Sequence, residues 1–475
     1  MRVAILTSEA MPFAKTGGLA DVSGALPKAL LEHKVDVKLI LPLFDQIERS
    51  LLTDEVIDGI RVEWRGQVHP IRARQSDAAG APTYLIEAPE FFARPNIYGY
   101  SDDHIRFAFF SRAALALLKH LEWRADVVHG NDWPCGFAIA ELRARRRHDP
   151  FFQATRTLFS LHNVGYQGLF DPRDLWWLGF GDPPDSNDFM LSRTASALKA
   201  GIIAADALST VSPRYSREIQ TPDHGHGLDW LLRSRKDRLA GITNGVDYSV
   251  WNPETDPHIA ANFSAEDLSG KQTCKLDLLR RFDLPEDAKR PILAIISRLV
   301  GQKGYDLIRE LSRAILQTGS FFIALGAGAT EYEDFLQHWH DMAPRQVGIY
   351  KGYAGEPLAH QIEAGADMFL MPSLYEPCGL NQMYSMRYGT VPIVRATGGL
   401  DDTVQQFDAG SGAGNGFKFQ QYEAGALLAK IREALYFYGR PDAWATIQLN
   451  GMRVDNSWTA AGKKYVQLYE EVLKV

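Results

Sequence analysis

Short apolar runs rich in β-forming residues recur along this chain with helical stretches between them, and the whole pattern begins again in the second half. In the first half the runs are residues 3–6, 37–41, 84–86, 127–129, 157–161 and 207–211, with a helix expected from about residue 20 to residue 33. In the second half they are residues 292–296, 321–325, 347–350, 368–371 and 391–394, separated by helical segments such as 305–316. Strands that are apolar throughout are buried on both faces, which requires helices on both sides of a parallel sheet. The expected fold class is therefore α/β, with two Rossmann-like, doubly wound domains. At 475 residues the chain is also longer than one hydrophobic core usually supports.

Turn-forming residues crowd the segment 241–253, where Gly241, Thr243, Asn244, Gly245, Asp247, Asn252 and Pro253 occur. This reads as a hinge. The expected division is a first domain over 1–245, a second over 246–455 and a terminal segment over 456–475. Within that last segment Tyr465, Leu468, Tyr469 and Leu473 fall on one helical face and are expected to pack back on the first domain. A Gly/Ala/Ser stretch over 409–416 reads as a flexible surface loop.

The formal net charge of −7, with no basic tail, argues against nucleic acid as a partner. Three cysteines, Cys135, Cys274 and Cys378, form no Cys-x-x-Cys pair, so neither a disulfide framework nor a zinc knuckle is expected, and a reducing cytoplasm is the natural compartment. No uncharged apolar run approaches membrane-spanning length, and the chain opens on a strand-like run rather than a secretory leader. The pairs His224/His226 and His338/His340 lack a carboxylate or thiol at metal-ligand spacing and read as loop or surface histidines. No Asp-x-Asp triplet occurs to hold a divalent ion against a nucleotide, so no metal and no cofactor are expected.

Lys15-Thr16-Gly17-Gly18-Leu19 follows the first apolar run, where a strand hands over to a helix. Glycines there let backbone N–H groups approach an anion, and the helix start and Lys15 add positive charge. Thr397-Gly398-Gly399-Leu400 repeats the arrangement after run 391–394, so the two turns together suggest a diphosphate held from both sides. Arg298 and Lys303 follow run 292–296, at the carboxyl edge where open α/β sheets bind ligands. Two cations there can neutralise a departing diphosphate.

Glu376-Pro377-Cys378-Gly379-Leu380 follows run 368–371, with Gly379 expected to open a helix to about residue 389. Glu376 suits sugar hydroxyls, or else caps the helix, while the N–H groups of Gly379 and Leu380 face an anion. Cys378 reads either as a buried structural thiol or as a reactive one. His162 and Asn163 follow run 157–161 and suit a polyhydroxylated substrate, and Asp132 reaches the same space from the neighbouring strand. Trp176, Trp177 and Trp230 suit either stacking on sugars or core packing.

Six motifs then occur in order: Lys-Thr-Gly-Gly-Leu-Ala-Asp at 15–21, His-Asn-x-x-Tyr-Gln-Gly at 162–168, Asn-Gly-Val-Asp at 244–247, Ser-Arg-Leu-x-x-Gln-Lys-Gly at 297–304, Glu-Pro-Cys-Gly-Leu at 376–380 and Thr-Gly-Gly-Leu at 397–400. Through them the chain resembles the bacterial glycogen synthase and starch synthase family along nearly its whole length. The resemblance implies the GT-B glycosyltransferase architecture, with two Rossmann-like domains facing across a crevice. It also implies metal-independent transfer of glucose from ADP-glucose to the non-reducing end of an α-1,4-glucan with retention.

Carried over residue by residue, Lys15 and Gly18 would meet the donor diphosphate, and Arg298 and Lys303 would stabilise the departing ADP. Tyr353 would stack on adenine. His162 and Glu376 would contact the transferred glucose, with Asp132, Asn163 and Asn244 shaping its pocket. Cys378, Gly379, Leu380, Thr397 and Gly398 would bind donor, and Asp21 and Tyr98 carry over as well. Asn381 stands where the family commonly has threonine, Trp230 where many members have glycine, and His129-Gly130-Asn131-Asp132 where His-x-His-Asp is commoner. Three other readings fit parts of the sequence: a GT-B enzyme using UDP-glucose, a glycogen phosphorylase, and a glucan-binding protein without activity.

Overall fold

The structure, a computed structural model, describes residues 1–182, 185–352 and 355–474. These separate into two compact units, Met1–Gly245 together with Trp458–Val475, and Val246–Ser457.

The first unit is built on a nine-stranded sheet in the order Leu239–Gly241, Ala207–Thr210, Arg156–Leu161, Val127–Asn131, Arg2–Leu6, Asp36–Pro42, Thr83–Glu87, Gln67–Ser76, Val56–Trp64. The first seven run parallel, and the last two join them as an antiparallel hairpin. That hairpin is an addition to the expected runs. Along Val56–Trp64 buried and exposed residues alternate over the second half of the strand, so no continuous apolar run marks it. Its two-residue turn, Arg65-Gly66, has positive φ at both positions, which suits the twist of a tight hairpin.

The helix Gly18–Glu32 covers the sheet with Leu19, Ala20, Val22, Leu26, Ala29 and Leu30 buried. Against it lies the terminal helix Trp458–Leu473, at a crossing where a Cβ on Gly462 would stand 3.1 Å from the Ala29 methyl. The buried stripe of that helix runs through Tyr465, Leu468, Tyr469 and Val472. Leu473, expected on the same face, is exposed, because the stripe drifts around the helix and Val472 takes its place. Tyr469 Oη and His129 Nδ1 lie 2.8 Å apart and share a hydrogen bond, which ties the last helix to the central strand Val127–Asn131.

The second unit holds a six-stranded parallel sheet in the order Val347–Lys351, Phe321–Gly326, Ile292–Ile296, Met368–Met371, Val391–Arg395, Phe417–Phe419. Its last strand, only three residues long, is too short to register as a run. The stretch 409–416, expected as a flexible loop, is pinned: Asn450 donates to the carbonyls of Gly412 and Gly414, and the Asn415 carboxamide accepts from Gln405 N–H. Of His338 and His340, expected on a loop or surface, both lie on the helix Thr330–Met342; His338 is exposed, as expected, and His340 is half-buried with its Nδ1–H donating to the Val347 carbonyl.

Chain order reverses direction about one strand in each sheet, Arg2–Leu6 in the first and Ile292–Ile296 in the second. In an open parallel sheet the strand ends on either side of such a reversal diverge, which leaves a crevice at the carboxyl edge. In the first unit that edge carries residues 7–9 and Asp132. In the second it carries Ser297, Arg298 and the segment 372–376.

Candidate active site

In the second unit, three successive strands place their carboxyl-terminal loops side by side. Leu374 N–H donates to the Gln302 carbonyl, and the Gln302 side chain donates to the Tyr375 carbonyl. Gly304, at φ +80, has no room for a Cβ because the Pro372 carbonyl would stand 2.3 Å from it. Zipping these loops together brings Lys303 Nζ to 2.6 Å from Glu376 Oε2, and Ser373 Oγ donates to the same oxygen at 3.1 Å. The Arg298 side chain is exposed and has no hydrogen-bond or ion-pair partner among the described residues.

The loop after Val391–Arg395 closes on the same segment. Gly399 N–H donates to the Pro377 carbonyl. A Cβ on Gly398, at φ +45, would stand 1.8 Å from the Glu376 carbonyl oxygen, and one on Gly399 would stand 2.2 Å from that of Cys378. These glycines thus let two backbones touch, a reason separate from approach to an anion. The helix expected to open at Gly379 begins at Asn381. Gly379 sits at φ +71, outside helical geometry, with Leu380 as the cap. Cys378 is buried.

In the first unit, Lys15 Nζ pairs with Asp21 Oδ1 at 2.6 Å across one turn at the start of Gly18–Glu32. The turn before that helix is closed on a carboxylate that the sequence reading missed. Glu9 accepts from Thr16 N–H at 2.5 Å, Gly17 N–H at 3.2 Å, Thr16 Oγ1 at 2.8 Å and Tyr98 Oη at 2.7 Å. The N–H groups of Thr16 and Gly17, expected to face an external anion, are thus held by one of the chain's own. Glu9 follows the strand about which the sheet reverses, so strand order would have found it, but strand order is not written in local sequence.

Asp132 opens the helix Asp132–Arg145 at φ +53, a conformation uncommon for a residue with a side chain and concentrated at functional sites. Strands Val127–Asn131 and Arg156–Leu161 are neighbours in register, so Asp132 Oδ1 accepts from the His162 backbone N–H at 2.7 Å. Burial pushes the Asp132 carboxyl up to about 7, with the charge of Glu9 adding to the effect and backbone N–H groups of His162 and Asn163 opposing it.

Asn131 Nδ2 donates to the Leu6 carbonyl, so its Oδ1 must accept from His162 Nε2–H at 2.9 Å. That assigns the His162 tautomer and leaves Nδ1 as an acceptor with no partner among the described residues. Burial pulls the imidazole down to about 4, so it is neutral near pH 7. Burial also raises the Tyr98 hydroxyl well above its ordinary value. His129 has both ring nitrogens engaged, with Tyr469 and Ser160.

Asn163 accepts Gly165 N–H in a local turn. Asn244 is buried, and its Oδ1 has no hydrogen-bond partner among the described residues. Tyr353 lies outside the described residues. Trp176, Trp177 and Trp230 are exposed. Among the described residues no group of three or more His, Cys, Asp and Glu is placed to hold a metal ion, and no helix is long and apolar enough to cross a membrane.

Two Rossmann-like units in one chain, each with polar and charged groups gathered at its switch point, fit the GT-B class of glycosyltransferases, which the family matches establish. The family descriptions bear on each unit: residues 2–234 match "Starch synthase catalytic domain" and residues 279–445 match "Glycosyl transferases group 1". The glycogen synthase of Bacillus cereus (strain Q1) is 40% identical over 479 residues, covering 100% of both chains, and that of Geobacillus thermodenitrificans (strain NG80-2) is 41% identical over 488, covering 100% of this chain and 98% of the other. The catalytic domain of starch synthase IV from Arabidopsis thaliana, solved bound to ADP and acarbose, superposes with a TM-score of 0.91 at 33% identity, covering 100% of this chain and 99% of that one. The chain belongs to the glycogen synthase and starch synthase family.

Proposed function

We propose that this glycogen/starch synthase transfers glucose from ADP-glucose to the non-reducing end of an α-1,4-glucan with retention of configuration, without a metal ion, in the cytoplasm. The observation that carries this reading is the set of side chains at the second unit's switch point: an exposed Arg298 with no partner among the described residues, on the same loop as Lys303 of the Lys303–Glu376 pair. The ADP bound to the Arabidopsis relative supports the choice of nucleotide, and its acarbose supports an α-glucan acceptor. The cytoplasmic setting is supported by three cysteines that are all buried and free.

The bond between glucose C1 and the β-phosphate oxygen breaks, negative charge grows on the diphosphate and positive charge on the sugar ring. Arg298 and Lys303 address the first, as preorganised cations stabilise charge that develops in the transition state. Lys15 and the Gly18 backbone are the first unit's diphosphate-binding groups, and in the second unit the Gly379, Leu380, Thr397 and Gly398 segment binds the donor, with Cys378 a buried part of that segment. Glu376 holds Lys303 in place and favours charge separation rather than attacking carbon.

In the first unit, neutral His162 offers Nδ1 to a sugar hydroxyl, while Asp132, Asn163, Asn244 and Tyr98 shape the glucose pocket and Asp21 restrains Lys15. The acceptor 4-hydroxyl attacks C1 on the face the diphosphate leaves, and its proton passes to the departing phosphate. No protein base is required.

The test is incubation of purified protein with ADP-glucose or UDP-glucose plus glycogen, in chelator, while nucleotide release is followed. Glycogen-dependent release of ADP is expected. Preference for UDP-glucose would overturn the donor, loss of activity in chelator would overturn metal independence, and absence of glycogen-dependent release from either donor would overturn the reaction.

A further inference from the structure

Glu9 is buried at 3% exposure, and no cation pairs with it among the described residues. Its two oxygens are satisfied by neutral donors alone: Oε2 by the Thr16 and Gly17 amides, Oε1 by the hydroxyls of Thr16 and Tyr98. The Tyr98 hydroxyl has one proton, which goes to the carboxylate, so Ser8 Oγ, 2.7 Å away, must donate to Tyr98 in turn. Burying a carboxylate without a counter-ion is costly unless its lone pairs are filled, and an apolar side chain would close the same space at no such cost. Groups that break this rule concentrate at functional sites.

We propose that Glu9 is a positioning residue of the transfer reaction: it clamps the Thr16–Gly17 turn, so that Lys15 and the Gly18 amide stand ready for the donor diphosphate, and it fixes the Tyr98 ring beside them. The proposal rests on the reading of Lys15 and Gly18 as donor-binding groups. Four hydrogen bonds from three residues converge on one carboxylate, and only an acceptor with two oxygens and no proton can take all of them. A loop so held does not have to be ordered when substrate arrives, and preorganisation of this kind appears in the affinity for substrate and in the rate.

The test compares the full-length protein with its Glu9→Gln variant in the glycogen-dependent ADP-release assay, with Thr16→Val as a milder second variant that removes a single donor. Glutamine keeps the shape but has one oxygen; with that oxygen on the two amides, its NH2 must donate to the Thr16 and Tyr98 hydroxyls, which removes the charge and reverses the Ser8–Tyr98 hydrogen bond. The expected result for Glu9→Gln is a rise of roughly tenfold or more in the KM for ADP-glucose, with a lower kcat and an unchanged melting temperature. Thr16→Val should move KM in the same direction by a smaller factor. The Glu9 charge raises the Asp132 carboxyl, which His162 and Asn163 N–H groups oppose, so the acidic limb of the pH profile should move to lower pH in Glu9→Gln.

A fall in KM would show that Glu9 is a placeholder displaced by phosphate, which overturns the proposal. A lower melting temperature with unchanged kinetic constants and pH profile would show a purely structural role and would also overturn it. If the unsubstituted protein releases no nucleotide, the functional reading itself fails. If it does and both variants match it, only the role of Glu9 fails.

Discussion

Lys303 and Glu376 are 73 residues apart in sequence and 2.6 Å apart in space, with side chains 17% and 9% exposed. With so little water around them, each charge depends on the other. The pair therefore keeps a cation parked at the carboxyl edge of the second sheet, while Arg298, on the same edge, carries a charge with no local partner among the described residues. The two cations should respond differently to removal.

Arg298→Ala should lower kcat at saturating ADP-glucose by roughly a hundredfold and leave the melting temperature in place. Lys303→Ala should lower kcat too, but also destabilise the fold by about 3–5 kcal/mol, because it leaves the Glu376 carboxylate without its cation, held by Ser373 Oγ only. Adding Glu376→Gln to Lys303→Ala should recover part of that stability. Steady-state kinetics and thermal unfolding of the variants check this, and unchanged kcat in both single variants would refute the leaving-group role.

The ionised form of Asp132 is the one that favours positive charge on the sugar ring. With its carboxyl pushed up to about 7 by burial, kcat/KM should rise with pH through an inflection near pH 7. Asp132→Asn should lower activity and remove that inflection. An inflection that persists in the variant would assign it elsewhere.

On acidification two buried histidines draw stability down while the raised carboxyls of Asp132 and Glu363 oppose them. His162 and His129 are pulled down by burial to about 4 and about 3, so below pH 6.5 the unfolded chain takes up protons that the folded one does not. Their contribution is complete above pH 6.5 and is lost as pH falls towards 4. Asp132 works in the opposite sense, since its raised carboxyl binds a proton more readily in the fold over the window from about 7 down to 3.8. Because the raised Glu363 carboxyl acts in the same sense as Asp132, the check is a difference: between pH 7 and 4.5 denaturant midpoints should fall more, or rise less, in Asp132→Asn than in the unsubstituted protein.

Asn244 has a buried carboxamide oxygen without a partner among the described residues, an arrangement that costs about 1–3 kcal/mol in a folded chain. A sugar hydroxyl would fill it. Asn244→Ala should lower kcat/KM by roughly tenfold without lowering the melting temperature. A destabilised variant with normal kinetics would make the amide structural.

Gly398→Ala should be among the most damaging single substitutions in the second unit. The backbone there is left-handed, and the new methyl would overlap the Glu376 carbonyl oxygen. Separation of the two loops should lower both stability and activity, seen as a melting temperature several degrees down and loss of ADP release.

Both parallel sheets were legible because strands buried on two faces write continuous apolar runs, and the family was legible in six motifs. The hairpin Val56–Trp64 and Gln67–Ser76 was not, since an edge strand alternates and its polar residues break the run. Glu9 escaped because nothing local distinguishes it; its significance comes from which strands lie side by side and from a turn that folds back on it. The Lys303–Glu376 pairing likewise depends on two loops meeting. Gly398 was visible as a glycine, but the carbonyl it makes room for was not.

The last helix, hydrogen-bonded to His129 through Tyr469, completes a unit whose other residues were made first. A ribosome releases residues 1–245 long before Trp458 emerges, and Val246–Ser457 is contiguous and finished earlier than that helix. The amino-terminal half must wait, with the Gly462 and Tyr469 seats uncovered, until that helix has been made. The unit begun first is thus sealed last, and a truncated transcript would yield a finished second half beside an open first one.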